Sequence, residues 1–235
     1  ITSQFITGAM LAATTACEPI TITVEEKTSA PYIHMTEEII KQWGIGIKEN
    51  TIYPGELTIP APLITIEGDR SHAAYLHAAN ALGAKIIMEN IGGESLQGDD
   101  AFPELLRQMK EGKTVDLISH PDLLMPLAVA ATKTGGSMTG VERLRYKESD
   151  RIATTREMLT ALSIESSYKD RIFTVSPGQV KGGTVHTGGD HRIAFAAAIL
   201  ASVADGPVTV KESQCVEKSW PDFWNAIKTL RENNR

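Results

Sequence analysis

The run RLRYKESDR, from Arg143 to Arg151, sets four cations and two acids in nine residues, and its reading decides how the chain is built. Its first half alternates charged and apolar. That predicts an extended segment with Arg143, Arg145 and Lys147 on one face and Leu144 and Tyr146 on the other. From Ser149 the pattern turns helical: SDRIATTREMLTAL carries apolar residues at Ile152, Met158, Leu159 and Leu162 behind a serine in capping position. Arg151 then falls in a first helical turn, where the positive end of the macrodipole disfavours a cation by about 0.3 to 1 kcal/mol. An anion is expected there to offset it.

Outward from this run the same design recurs four times: a polar cluster, an alanine-rich helix, a short strand and a more charged amphipathic helix. The alanine-rich helices are TSQFITGAMLAATTA from Thr2, DRSHAAYLHAANALG from Asp69, PDLLMPLAVAATKTGG from Pro121 and GDHRIAFAAAILASVADG from Gly189. Short β-rich runs follow them: PITITVE from Pro19, AKIIMEN from Ala84, GSMTGVE from Gly136 and PVTVKE from Pro207. The second helices are PYIHMTEEIIKQWG from Pro31, DAFPELLRQMKEG from Asp100, the Ser149 helix, and PDFWNAIKTLRENN from Pro221. Hairpins are expected in GIGIKENTIYPGELTI and SIESSYKDRIFTVS, with mixed sheets overall. The run IPAPLITIEGD, with two prolines and a β-type stretch, marks a boundary near residue 66, dividing the chain into 1–66 and 67–235.

The chain is 42% hydrophobic and 22% charged, ordinary for a globular protein, and its formal charge of −6 argues against a general nucleic-acid binder. Its most apolar stretch, IAFAAAILASVA from Ile193, is short and reads as a buried helix, not a membrane span. Cys17 and Cys215 lack metal-type spacing and are expected to be reduced thiols. The six histidines form no zinc pattern, and neither a dinucleotide fingerprint nor a P-loop is present, so no metal and no cofactor are expected.

Polar groups gather at the helix starts: Thr2, Ser3 and Gln4; Ser29 and Tyr32; Asp69, Arg70 and Ser71; Gln97 and Asp99; Asp122; Lys147, Glu148 and Arg151; Asp190, His191 and Arg192; Lys218 and Ser219. If the units are related by rough symmetry, these starts face one cleft whose free N–H groups favour phosphate or carboxylate. Taken alone, Ser3, Ser29, Ser71 and Asp190 read as N-caps. Caps do not explain Arg151, Arg192 and Lys218, and the three together favour an anion site.

The segments RxxKESDR, GDHR with its alanine-rich continuation, and TSQF, together with EGDRSHAAY, LQGDDAF, HPDLLMPLA and EKSWPDFW, resemble 5-enolpyruvylshikimate-3-phosphate synthase along the whole chain. The resemblance implies an α/β fold, an inside-out α/β barrel built of βαβαββ repeats, in which two similar domains close over the substrates. It begins only at the family's TSQF-like segment. Residues 1–66 then correspond to the last unit of the N-terminal-side domain and 67–235 to the C-terminal-side domain, with the family's N-terminal part missing and the isolated chain expected to be inactive.

The implied reaction moves an enolpyruvyl group from phosphoenolpyruvate to shikimate 3-phosphate with release of phosphate, in aromatic amino acid biosynthesis. By resemblance Thr2, Ser3 and Ser29 hold the substrate phosphate, Gln4 and Tyr32 the ring region, and Asp122 and Lys147 the hydroxyls. Asp122 is the implied base, and Glu148, held protonated in a closed cleft, the acid, with Lys147 able to exchange roles with it. Arg151, Arg192 and Lys218, with Gln4, are assigned to phosphoenolpyruvate. Where some members carry Asn, this chain has Arg143, which receives no role. The partners implied are the two substrates and the absent N-terminal portion of the same enzyme, with a cytoplasmic location, or a plastid one behind a transit peptide. Two other readings are a relative of the UDP-N-acetylglucosamine enolpyruvyl transferase, whose Cys-bearing loop has no counterpart at Cys17 or Cys215, and a non-catalytic anion-binding repeat module.

Overall fold

A computed structural model describes residues 3–25 and 29–233. The first unit runs α1 (Gln4–Ala13), β1 (Ile20–Thr21), α2 (Ala30–Gln42), β2 (Gly46–Lys48) and β3 (Thr51–Tyr53). β3 pairs antiparallel with both β1 and β2, in the order β1-β3-β2. Glu49 and Asn50 at the hairpin turn both take positive φ, the backbone twist that two-residue hairpins need.

The chain continues through α3 (Arg70–Leu82), α4 (Phe102–Lys110), β4 (Val115–Asp116), α5 (Leu124–Thr134), β5 (Gly136–Thr139), α6 (Arg151–Ala161), β6 (Ser166–Lys169) and β7 (Ile172–Val175). β4 and β5 are parallel across α5, while β7 pairs antiparallel with β5 and β6. The stretch β4-α5-β5-α6-β6-β7 is therefore a complete βαβαββ unit. Its β5-β7-β6 order repeats the β1-β3-β2 order of the first unit. The last elements are β8 (Lys181–His186), α7 (His191–Ala201), β9 (Asp205–Lys211) and α8 (Phe223–Asn233), with β8 and β9 parallel across α7 in the manner of β4-α5-β5. Strand pairing thus supports the repeat that helix composition implied.

The alanine-rich helices lie inside. α3, α5 and α7 pack on one another, and α5 is buried from Leu124 to Thr132 and α7 from Ile193 to Leu200. Helices apolar on all sides are stable only when enclosed, and small side chains at Ala74, Ala78, Ala128, Ala131, Ala194 and Ala197 let the axes approach. A separate small core joins Met10, Ala13, Ile33, Ile40, Ile45 and Ile52. α1 shares the alanine-rich character, yet Phe5 is 69% and Leu11 55% exposed.

Three expectations are corrected. AKIIMEN and IPAPLITIEGD form no strand: β-propensity reflects packing on a pleated surface, and these stretches adjoin none, leaving Ile87 and Ile66 exposed. The Arg143–Lys147 segment is not extended but a 3-10 turn, Glu142–Tyr146. Residues three apart share a face in such a turn, so Val141 and Leu144 are both buried while Tyr146 points outward. α6 is capped by Asp150, whose carboxylate accepts from the N–H groups of Ile152 and Ala153, and not by Ser149.

Candidate active site

The starts of α1 and α2 meet the turn leading into α5, and Lys147 ahead of α6, around one cleft of about 240 Å³. Ser3, Gln4, Ser29, Tyr32, Asp122 and Lys147 all line it, beside Thr7, Met35, Thr36 and Pro121. Thr2 lies outside the described residues. Neither Ser3 nor Ser29 uses its side chain as a helix cap, and Ser29 sits in the left-handed region at φ 54°. That backbone costs a non-glycine residue about 1 to 2 kcal/mol, a strain that concentrates at working sites. Ser71 is no cap either: its hydroxyl donates to Asp99. Of the four expected caps, Asp190 alone serves, accepting from the N–H of Arg192.

Tyr32 donates to Asp99 at 2.5 Å, and burial together with that carboxylate pushes its phenol well above the usual range. Asp99 is itself buried and gathers Tyr32 of the first unit and Ser71 of the next. Thr7 and Thr36 escaped the sequence reading. Each stands four residues after a residue that was named, Ser3 and Tyr32, and so shares its helix face.

Behind the cleft stands a charge cluster centred on Arg151, which is 1% exposed. Its Nη1 donates to Asp122 at 2.6 Å, its Nη2 to Glu148 at 2.6 Å and its Nε to Asp190 at 2.7 Å. Asp122 also lies 3.4 Å from Lys147 and 3.6 Å from Arg192, and Lys218 donates to Glu148 at 2.8 Å. Four cations (Lys147, Arg151, Arg192, Lys218) thus face three carboxylates (Asp122, Glu148, Asp190), one positive charge in excess within a chain of net charge −6.

Burial pushes the Asp122 carboxyl up, but Arg192, Arg151 and Lys147 outweigh it and hold it at about 2. Burial acts likewise on Glu148, where the hydrogen bond from Lys218 and the charge of Arg151 hold it at about 2. In this arrangement Glu148 is a carboxylate, against the expectation of a protonated acid. Arg192 is lowered by burial and raised further by Asp122, which keeps it charged.

Asp69 caps α3, and Gln97 accepts from the Arg70 N–H while donating to the Gly68 carbonyl. Arg145 lies 5.5 Å from the ring centre of Tyr168. Cys17 and Cys215 are free thiols. Among the described residues no helix is long and apolar enough to cross a membrane, and no three His, Cys, Asp or Glu side chains could together hold a metal ion.

Solved structures share this architecture. An EPSP synthase from Acinetobacter baumannii superposes with TM-score 0.78 at 22% identity, over 98% of this chain and 60% of that one. The enolpyruvyl transferase NikO from Streptomyces tendae does so with TM-score 0.63 at 17% identity, over 95% and 59%. The fold is that of the enolpyruvyl transferases. A family model described as EPSP synthase (3-phosphoshikimate 1-carboxyvinyltransferase) matches residues 1–112 and 104–227, and the chain belongs to that family. Curated 3-phosphoshikimate 1-carboxyvinyltransferases from Methanosphaerula palustris and Clostridium acetobutylicum are 34% and 33% identical, over 97% and 98% of this chain. The chain spans 59% of the length of each.

Proposed function

We propose that this chain supplies one wall and the charged floor of a site that transfers the enolpyruvyl group of phosphoenolpyruvate to shikimate 3-phosphate with release of phosphate. The observation that carries the reading is the convergence of Ser3, Gln4, Ser29, Tyr32, Asp122 and Lys147 on one cleft, with a cation surplus directly behind it. Hydroxyls and helix-start N–H groups suit a phosphate, and Thr2, Ser3 and Ser29 are assigned to that of shikimate 3-phosphate. Gln4 and Tyr32 face its ring, and Asp122 and Lys147 its hydroxyls.

In the addition step the attacking hydroxyl loses its proton toward Asp122 as its oxygen bonds to C2 of phosphoenolpyruvate, and the methylene carbon gains a proton. Elimination then removes a proton from the new methyl group as the bond to phosphate breaks, which restores the double bond and expels phosphate. Arg151, Arg192 and Lys218, with Gln4, take the phosphoenolpyruvate anion. When that anion draws Lys218 and Arg151 away from Glu148, the interactions holding its carboxyl near 2 are lost. Its affinity for a proton then rises, and Glu148 becomes the donor to carbon, Lys147 being the other group in reach.

Residues 1–66 and 67–235 belong in this reading to two domains, as the two separate cores suit. The reaction belongs to aromatic amino acid biosynthesis in the cytoplasm, or in a plastid where a transit peptide directs it. Turnover requires an N-terminal portion corresponding to the length the relatives have beyond the match, because a closed cleft needs both walls. Phosphate release from phosphoenolpyruvate and shikimate 3-phosphate tests this. Turnover is expected when the chain is joined to such a portion and not from the chain alone. Robust turnover by the chain alone refutes the shared wall, and none from the joined protein refutes the reaction.

A further inference from the structure

A second cluster, outside the charged cleft, ties the start of α3 to the turn that carries Lys218. Besides capping α3, Asp69 brings a carboxylate oxygen to 3.3 Å from Nδ1 of His72. The other imidazole nitrogen, Nε2, lies 2.7 Å from Oγ of Ser219. The ring packs against two aromatic neighbours, its centre 5.0 Å from Trp220, tilted by 34°, and 5.4 Å from Phe195, edge-on. Burial lowers the pKa of His72 against the pull of Asp69, which favours the neutral ring. A neutral imidazole carries one proton, and the carboxylate beside Nδ1 favours the tautomer protonated there, which leaves Nε2 to accept from the Ser219 hydroxyl.

Ser219 is the residue after Lys218. Lys218 donates to Glu148 at 2.8 Å, but its side chain is 59% exposed. An exposed lysine pair contributes about 0 to 1 kcal/mol and cannot by itself hold a four-carbon stem in one place. What holds the lysine's backbone is the end of the 3-10 turn Ser213–Lys218, where the N–H groups of Ser219 and Trp220 both donate to Val216 and the Ser219 hydroxyl donates to His72.

We infer that His72 is a positioning residue that, through Ser219, fixes the backbone from which Lys218 reaches the site and so sets how tightly the phosphoenolpyruvate anion is held. This rests on the reading of Lys218 as a contact to that anion. His72 touches neither substrate.

Three variants test it, with backbone order read in the 235-residue chain and ligand binding in the joined protein. His72→Phe keeps a ring beside Trp220 and Phe195 and removes the bond to Ser219 together with the nitrogen that faces Asp69. His72→Gln places an amide near Nε2 and can restore the bond to Ser219. Ser219→Ala removes the same bond from an exposed position without touching the aromatic cluster, and decides the matter if the phenylalanine variant does not fold. The backbone order parameters of Lys218 and Ser219 are expected to fall from about 0.85 to below about 0.6 in His72→Phe and Ser219→Ala. Affinity for phosphoenolpyruvate is expected to weaken by about three- to tenfold in both, the worth of one hydrogen bond. Affinity for shikimate 3-phosphate stays within about twofold, because Ser3, Ser29 and Tyr32 lie elsewhere, and His72→Gln regains most of the lost phosphoenolpyruvate binding. Unchanged order and binding in both variants overturn the inference, as does an equal loss of both ligands, which marks a general loosening. If phosphoenolpyruvate binding is unchanged in both variants of the joined protein while Lys218 and Ser219 still lose order, the positioning by His72 stands and the substrate reading of Lys218 fails.

Discussion

Replacing Asp190 by asparagine separates two jobs that one buried carboxylate performs. Asp190 is fully buried, and its Oδ2 accepts from Nε of Arg151 at 2.7 Å and from the Ser149 hydroxyl at 3.0 Å. Its Oδ1 accepts the N–H of Arg192 at 3.0 Å as the cap of α7. Asparagine keeps the size and one capping oxygen, but turns an amide donor toward Arg151 and Ser149, which are donors themselves. Breaking a buried ion pair by removing one partner costs about 3 to 5 kcal/mol. Asp122 and Glu148 still hold the guanidinium, which puts the loss near the lower figure. For a chain of this size about 3 kcal/mol corresponds to a fall in Tm of about 6 to 12 °C. Asp190→Ala also removes the cap and should lose about 1 kcal/mol more. Urea unfolding with parallel calorimetry measures both, and added salt should change the differences little, because buried charges are weakly screened. A Tm for Asp190→Asn equal to that of the native chain, or an alanine variant no worse than the asparagine one, refutes the account of Arg151 as held by its carboxylates.

Glu148→Gln in the joined, active protein should lower kcat by about a hundredfold or more while changing phosphoenolpyruvate binding far less, read from steady-state and equilibrium measurements; an unchanged kcat removes Glu148 from proton transfer. His191, lowered to about 4 by burial and by Arg192, is neutral in the folded chain. The stabilisation it gives is therefore present above its ordinary value of about 6.5 and is lost as pH falls from there toward 4, so His191→Phe should flatten the difference between urea midpoints at pH 7.5 and pH 5. The depressed value of Asp122 acts in a lower window: its contribution persists down to about pH 4 and is lost as pH falls through about 2. Tyr32→Phe removes one of the two hydroxyls that donate to the buried Asp99 among the described residues and should cost about 1 to 3 kcal/mol by urea unfolding, whereas no loss shows that this bond between the first unit and the next contributes nothing.

What was legible in the sequence follows from what each element depends on. α5 and α7 were visible because a helix buried on every side must be apolar on every side, α3 because small apolar residues recur along its core face, and the polar residues just before all three because the pattern breaks there. The hairpin turns at Glu49–Asn50 and Asp170–Arg171 were visible because those residue types tolerate the local backbone or sit between alternating runs. The runs at 59–69 and 84–90 misled because a strand exists only with a partner, and residue types do not show one. At Arg143–Lys147 a period of two and a period of three cannot be told apart over five residues, and the buried Val141 that decides it lay just outside the run considered.

The least legible feature is the one that matters most for chemistry. Arg151 at the start of α6 called for an anion, and the structure supplies three, two of them from residues 29 and 39 positions away along the chain. A spacing of that kind carries no local signal. With its donors turned toward the protein's own carboxylates, Arg151 is open to a substrate anion only by exchange, so its first job is to orient Asp122 and Glu148. Lys218 is different: it is more than half exposed and has one carboxylate partner. In the proposed reaction the cation surplus is offered first by Lys218, and the phosphoenolpyruvate anion that draws it away also frees Glu148 to accept a proton.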